Sequence, residues 1–212
     1  MTKTTKFIQA AIGYAMDDSH GYSQARRWGP DFDCSSLMYQ CGYDAGYDLS
    51  REEPRYTGSM IEDFSAVGFR VDVFDGNLGD LEPGDILLNT TYHTAVYVGN
   101  GLLVEASSSE TGGVDGQPGD QTRGEIHAAH IYDYPWTHVL TPPKENAEDA
   151  PNASVPSFTP VSDDVKNMPL ADAITRIAIE TINGGFGNLP QRKENIYKQV
   201  QERVNQLLSG KA

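Results

Sequence analysis

Apolar residues recur at helical spacing near the start of the chain. Ile8, Ala11, Ile12 and Ala15 form one stripe and predict a helix over residues 3–16. Asp33 suits the cap of a second helix over residues 34–45, which must stop before Gly46. A third helix is expected over residues 59–66. The period then changes to that of strands, at residues 69–74, 86–88, 93–98 and 102–106, with a last strand around 136–140. Asn100-Gly101 joins the fourth strand to the third as a tight hairpin turn. Residues 107–130, with GGVDGQPGDQTRGE at their centre, read as one long polar loop, either lining a groove or running over the surface. Helices first and an antiparallel sheet afterwards make an α+β domain.

The pattern breaks near residue 141. TPPKENAEDAPNASVPSFTPVSDD is rich in Pro, Ser, Asp and Ala and has almost no large apolar residue, which predicts an extended tether. Folded modules are therefore expected at 1–142 and 163–212, with a flexible linker at 143–162. In the tail, Ile174, Ile177, Ala178 and Ile182 predict one helix, and Val200, Val204, Leu207 and Leu208 another, with the turn NGGFGN between. So short a segment buries only a small core. On pattern alone it also suits a dimerising or capping appendage.

Charge separates the two parts. The 212-residue chain carries a formal charge of -14. Residues 1–162 hold nine basic against 24 acidic side chains, and residues 163–212 hold seven against six. The large part is repelled by nucleic-acid phosphates. No stretch approaches the roughly 20 apolar residues needed to span a bilayer. The N-terminus lacks the apolar core of a signal peptide, so the expectation is a chain made and held in a cytoplasm, with no membrane insertion. Cys34 and Cys41 are too few for a disulfide framework, and on one helix they stand about 10 Å apart, beyond disulfide reach.

Three positions carry candidate chemistry. Cys34 opens a helix, where free backbone N–H groups and the dipole favour a thiolate; the plain alternative is a small buried apolar residue. Cys41, mid-helix, reads as structural. His93 begins the strand HTAVYVG, sharing a face with Ala95 and Tyr97; a simple edge histidine is its alternative. His20, His127, His130 and His138 compete with it, but none precedes so clear a strand. His127 and His130 near acidic residues suggest a metal, yet no HExxH or cysteine cluster supports one, and no cofactor is expected. Glu105 lies inside the apolar run LLVEAS, where an unpaired charge is costly. It is placed to hold the second nitrogen of His93, or else it faces outward from an edge strand.

Together, FDCSSLMYQCGYDAG, LEPGDILL and HTAVYVGNGLLVEAS resemble the NlpC/P60 cysteine-peptidase superfamily over roughly residues 7–140, and in particular its phage endolysin branch. GQPGDQTRGE followed by PWTHVL is similar to that branch as well. The resemblance implies a papain-like fold, Cys34 as nucleophile, His93 as base and Glu105 as the third residue. The wider family most often has His, Asn or Gln at that third position. Tyr22, twelve residues before Cys34, matches a tyrosine beside the nucleophile. It joins the Cys34 N–H as an oxyanion donor, and Asp33 and Ser36 are expected near substrate. Asp31 and Asp33 are expected to meet a free amine of the stem peptide. AIETINGGFGN, Arg192 and VQERVNQLL resemble the CW_7 cell-wall-binding repeat, with Phe186 where that repeat usually has Trp. That implies wall binding through Gly185, Phe186, Asn188 and Arg192.

The substrate so implied is bacterial peptidoglycan. The favoured bond joins a γ-D-glutamyl residue to the stem diamino acid. The alternatives are an N-acetylmuramoyl-L-alanine amidase and a non-catalytic wall-binding protein. Without an export signal, the protein would reach the wall from the host cytoplasm during lysis. A single repeat gains from multivalency, so self-association through the tail is a further expectation.

Overall fold

The computed structural model describes residues 2–144. The expected tail helices, and Gly185, Phe186, Asn188 and Arg192 with them, lie outside the described residues.

Helix α1 spans Lys3–Ala15, and Thr2 caps it by accepting from the Thr5 N–H at 3.1 Å. Its buried stripe is Phe7, Ile8, Ala11 and Ile12. Helix α2, Cys34–Asp44, is buried from Cys34 through Gly42. Asp33 and Ser36 close a reciprocal capping box at its start. Gly46, at φ 90°, stops the chain just beyond its end, in a conformation that glycine adopts without strain. The short α3, Met60–Ala66, follows with Met60 and Phe64 buried.

Six antiparallel strands form one sheet. They are β1 Arg70–Val73, β2 Ile86–Asn89, β3 His93–Gly99, β4 Leu102–Ala106, β5 Ile126–His130 and β6 His138–Thr141, in the spatial order β1-β6-β2-β3-β4-β5. The β3–β4 turn has Asn100 at φ 54° and Gly101 at φ 74°, the positive values a tight hairpin demands. The long polar loop expected over 107–130 ends early, because its last five residues are β5, hydrogen-bonded along β4.

The sheet has two covered faces. α2 packs against β3 and β4, and α1 against β3, β4 and β5. On the other face Leu87, Ala95, Leu103 and Trp136 form a second core, joined by Phe74, Tyr97, Tyr132 and Tyr134. A strap, residues 131–136, lies over this face. His93 shares the face of Ala95, and Glu105 that of Leu103.

Candidate active site

α2 brings Cys34 to the sheet. Its N–H lies in the first turn, where no intrahelical acceptor exists. The backbone N–H groups of Thr94 and Ser35 act on its thiol and favour the thiolate. The influence of Thr94, the second residue of β3, puts the thiol near the start of that strand. Cys34 is 8% exposed, and Cys41 is fully buried; both are free thiols.

The helix start does not by itself yield a thiolate. Burial and then the Asp33 carboxylate push the Cys34 thiol up to about 12, against the two N–H groups and the Arg27 guanidinium. The resting sulfur is therefore protonated, and ionisation requires a base alongside.

His93 and Glu105 meet. Nε2 of His93 lies 2.9 Å from Oε2 of Glu105. The same oxygen accepts from the Tyr132 hydroxyl at 2.6 Å. Trp136 stacks on the His93 ring at 5.8 Å and 27°, and Tyr134 meets its edge at 5.6 Å. Burial raises the Glu105 carboxyl, but the bonds from His93 and Tyr132 and the charges of His93 and His127 outweigh it, so it lies below its ordinary value. Glu105 thus faces inward as an ionised acceptor, not outward from an edge strand.

Tyr22 is buried, and burial, more than any neighbour, raises its hydroxyl, which stays protonated. That oxygen accepts from Gln24 Nε2 at 3.3 Å, so its own proton is available to donate.

Asp33, Ser36 and Asp31 make structural contacts. Asp33 accepts from the Ser36 N–H at 2.8 Å and pairs with Arg27 at 2.9 Å. Ser36 is fully buried, and its hydroxyl accepts from the Asp33 N–H at 2.9 Å. Asp31 is fully buried too, holding the N–H groups of Gly21 and Gly119, each at 2.9 Å, and Arg26 at 2.8 Å.

Asp31 belongs to a set of buried carboxylates that order residues 107–125. Asp120 accepts from the N–H groups of Thr122 and Glu125 at 2.8 Å and of Ile126 at 3.2 Å. Glu125 accepts from the Tyr22 N–H at 2.8 Å, which ties this loop to the oxyanion candidate. Gly21 lies so close to Gly119 that a side chain would strike its carbonyl.

This set has a consequence in acid. Burial raises Asp31 and Asp120, but their N–H donors, and Arg26 for Asp31, outweigh it and hold both below the ordinary carboxylate range. A carboxyl held low stabilises the fold above its unfolded value and loses that contribution as pH falls through the folded value. The thermal midpoint is therefore expected to fall as pH drops below about 4. Asp120→Asn should cost about 1–3 kcal/mol at neutral pH and flatten that acid limb, as read by melting curves across pH.

The sequence profile of the NlpC/P60 family matches residues 20–132, which include Cys34, His93 and Glu105. The chain belongs to the NlpC/P60 family. A separate profile, the CW_7 repeat, matches residues 175–208. No curated protein matches the chain. Among solved structures it is similar to the P60 domain of an antigen from M. avium subspecies paratuberculosis, at 22% identity over 68% of this chain and 96% of that one, with a TM-score of 0.43. It is also similar to the peptidoglycan hydrolase RipB from Mycobacterium tuberculosis, at 19% identity over 68% of this chain and 67% of that one, TM-score 0.43. NlpC2 from Trichomonas vaginalis is 19% identical over 65% of this chain and 46% of that one, TM-score 0.39. The family assignment rests on the sequence match.

Sequence reading missed the roles of Tyr132, Tyr134 and Trp136 in this NlpC/P60 domain, and took His127 only as a rival to His93 or a metal ligand. The alternating aromatics of IYDYPW were the available signal for the strap. His127 had none, because its place depends on the pairing of β5 with β4. Among the described residues no group of His, Cys, Asp and Glu side chains is suited to a metal, and no helix is long and apolar enough to cross a membrane.

Proposed function

We propose that this NlpC/P60 chain is a peptidoglycan cysteine hydrolase of the phage endolysin type. Its favoured reaction is cleavage of the γ-D-glutamyl bond to the stem diamino acid. One observation carries the reading: His93 is held by Glu105 at 2.9 Å, one residue before Thr94, whose N–H favours the Cys34 thiolate.

In this mechanism Glu105 holds His93 through Nε2 and leaves Nδ1 to exchange a proton with the thiol. His93 takes the Cys34 proton, and the sulfur attacks the amide carbonyl. The oxyanion meets the Cys34 N–H and the Tyr22 hydroxyl. His93 then protonates the departing amine, and the C–N bond breaks to leave a thioester. Water, giving its proton to His93, attacks the thioester, and the carboxylic acid and the Cys34 thiol are released. Asp33 and Ser36 act as positioning residues, because they cap the helix that carries the sulfur.

We place the catalytic module at 1–142 and a wall-binding module at 163–212, joined by residues 143–162. Gly185, Phe186, Asn188 and Arg192 of the CW_7 repeat would contact the wall polymer, and self-association would raise the avidity of a single copy. The protein would act on the wall once host lysis brings it there.

The test is end-group analysis of digested sacculi. New free amines on the diamino acid are the expected result. New amines from scission at the muramic acid–L-Ala bond would make it an amidase, and no new ends would leave only wall binding.

A further inference from the structure

Glu105 has a third neighbour. Its second oxygen, Oε1, lies 3.6 Å from Nε2 of His127. The two residues stand directly opposite each other in the β4–β5 ladder. Opposed Cβ atoms there are about 4.5–5.5 Å apart, so the register puts both side chains on one face. The other ring nitrogen of His127, Nδ1, is buried with no partner. A proton on it would be a buried donor without an acceptor, whereas Nε2 faces Oε1 across an ion-pair separation.

The carboxylate needs such a holder. Its side chain is 6% exposed, so water does little to orient it. Its last torsion is soft and roughly two-fold. Rotation there would carry Oε2 off the line to His93 and Tyr132.

We propose that His127 is a positioning residue for the Cys34–His93–Glu105 centre, holding Oε1 so that Oε2 stays on His93. It acts through Glu105 and has no direct part in bond breaking. The inference rests on the assignment of those three residues as the reacting centre.

The test reads the sulfur as well as turnover. Alkylation of Cys34 by iodoacetamide, followed at neutral pH by peptide mass mapping, reports formation of the thiolate–imidazolium pair without any wall substrate. His127→Ala is expected to lower both that rate and kcat about tenfold with KM unchanged, the scale of a small misplacement in a reacting centre. His127→Gln, which restores an N–H donor, should stay within about twofold of wild type by the same reasoning. His127→Leu should match His127→Ala, and it carries the test if the alanine variant does not fold. A folded His127→Ala or His127→Leu that alkylates at the wild-type rate overturns the inference, as does His127→Gln behaving like His127→Ala. His93→Ala separates the two levels. Its alkylation should fall at least as far as in His127→Ala, and an unchanged rate there means that the reacting centre itself has been misassigned.

Discussion

Cys34→Ala and His93→Ala are each expected to lower hydrolysis of purified walls by at least about 10³-fold while leaving wall binding intact. The thiol supplies the covalent route, and nothing else near it replaces that. Ser35 and Ser36 are buried, with Ser36 tied into the helix cap and Ser35 bonded to Arg27 at 2.7 Å. Cys41 is fully buried on the same helix. His93 is needed because the Cys34 thiol, pushed up to about 12, does not ionise alone at neutral pH. The two losses should not add. Cys34→Ala/His93→Ala should be no worse than the poorer single variant, because the two groups act as a unit. Turbidity loss of wall suspensions measures the first quantity and co-sedimentation the second.

Glu105→Gln should cost less, about 10–100-fold, since positioning is weakened but the sulfur and ring remain. The substitution removes a buried negative charge that stabilises the imidazolium. It also replaces one acceptor oxygen with a donor, where Oε2 now accepts from His93 and Tyr132 and Oε1 lies 3.6 Å from His127. A folded Glu105→Gln with full activity would remove the carboxylate from the mechanism, and kcat and KM on a soluble stem peptide are the quantities to measure.

Local structure was legible wherever one residue sufficed to signal it. Asp33 announced the start of α2, Gly46 its end, and Asn100-Gly101 the β3–β4 turn. The partnership of His93 with Glu105 followed from that hairpin. Strand β5 was hidden because IHAAH holds one large apolar residue and follows a Gly-rich run. The insertion of β6 between β1 and β2 depends on a return of the chain over some fifty residues, which no local pattern encodes. The buried acids were the other blind spot. Asp31, Asp120 and Glu125 look like surface residues until the backbone N–H groups that surround them are known. The same applies to Asp33 and Ser36. Their capping role was readable, but their burial was not. At the helix start, burial and Asp33 raise the Cys34 thiol, which the local pattern did not signal.

The most direct measurement traps the intermediate. Wild-type protein mixed with a stem-peptide substrate and quenched in acid should yield a Cys34 peptide heavier by the acyl half of the substrate, with the added mass lost to hydroxylamine. Undiminished turnover after stoichiometric alkylation of Cys34, with no thioester on any cysteine, would contradict covalent catalysis at this site.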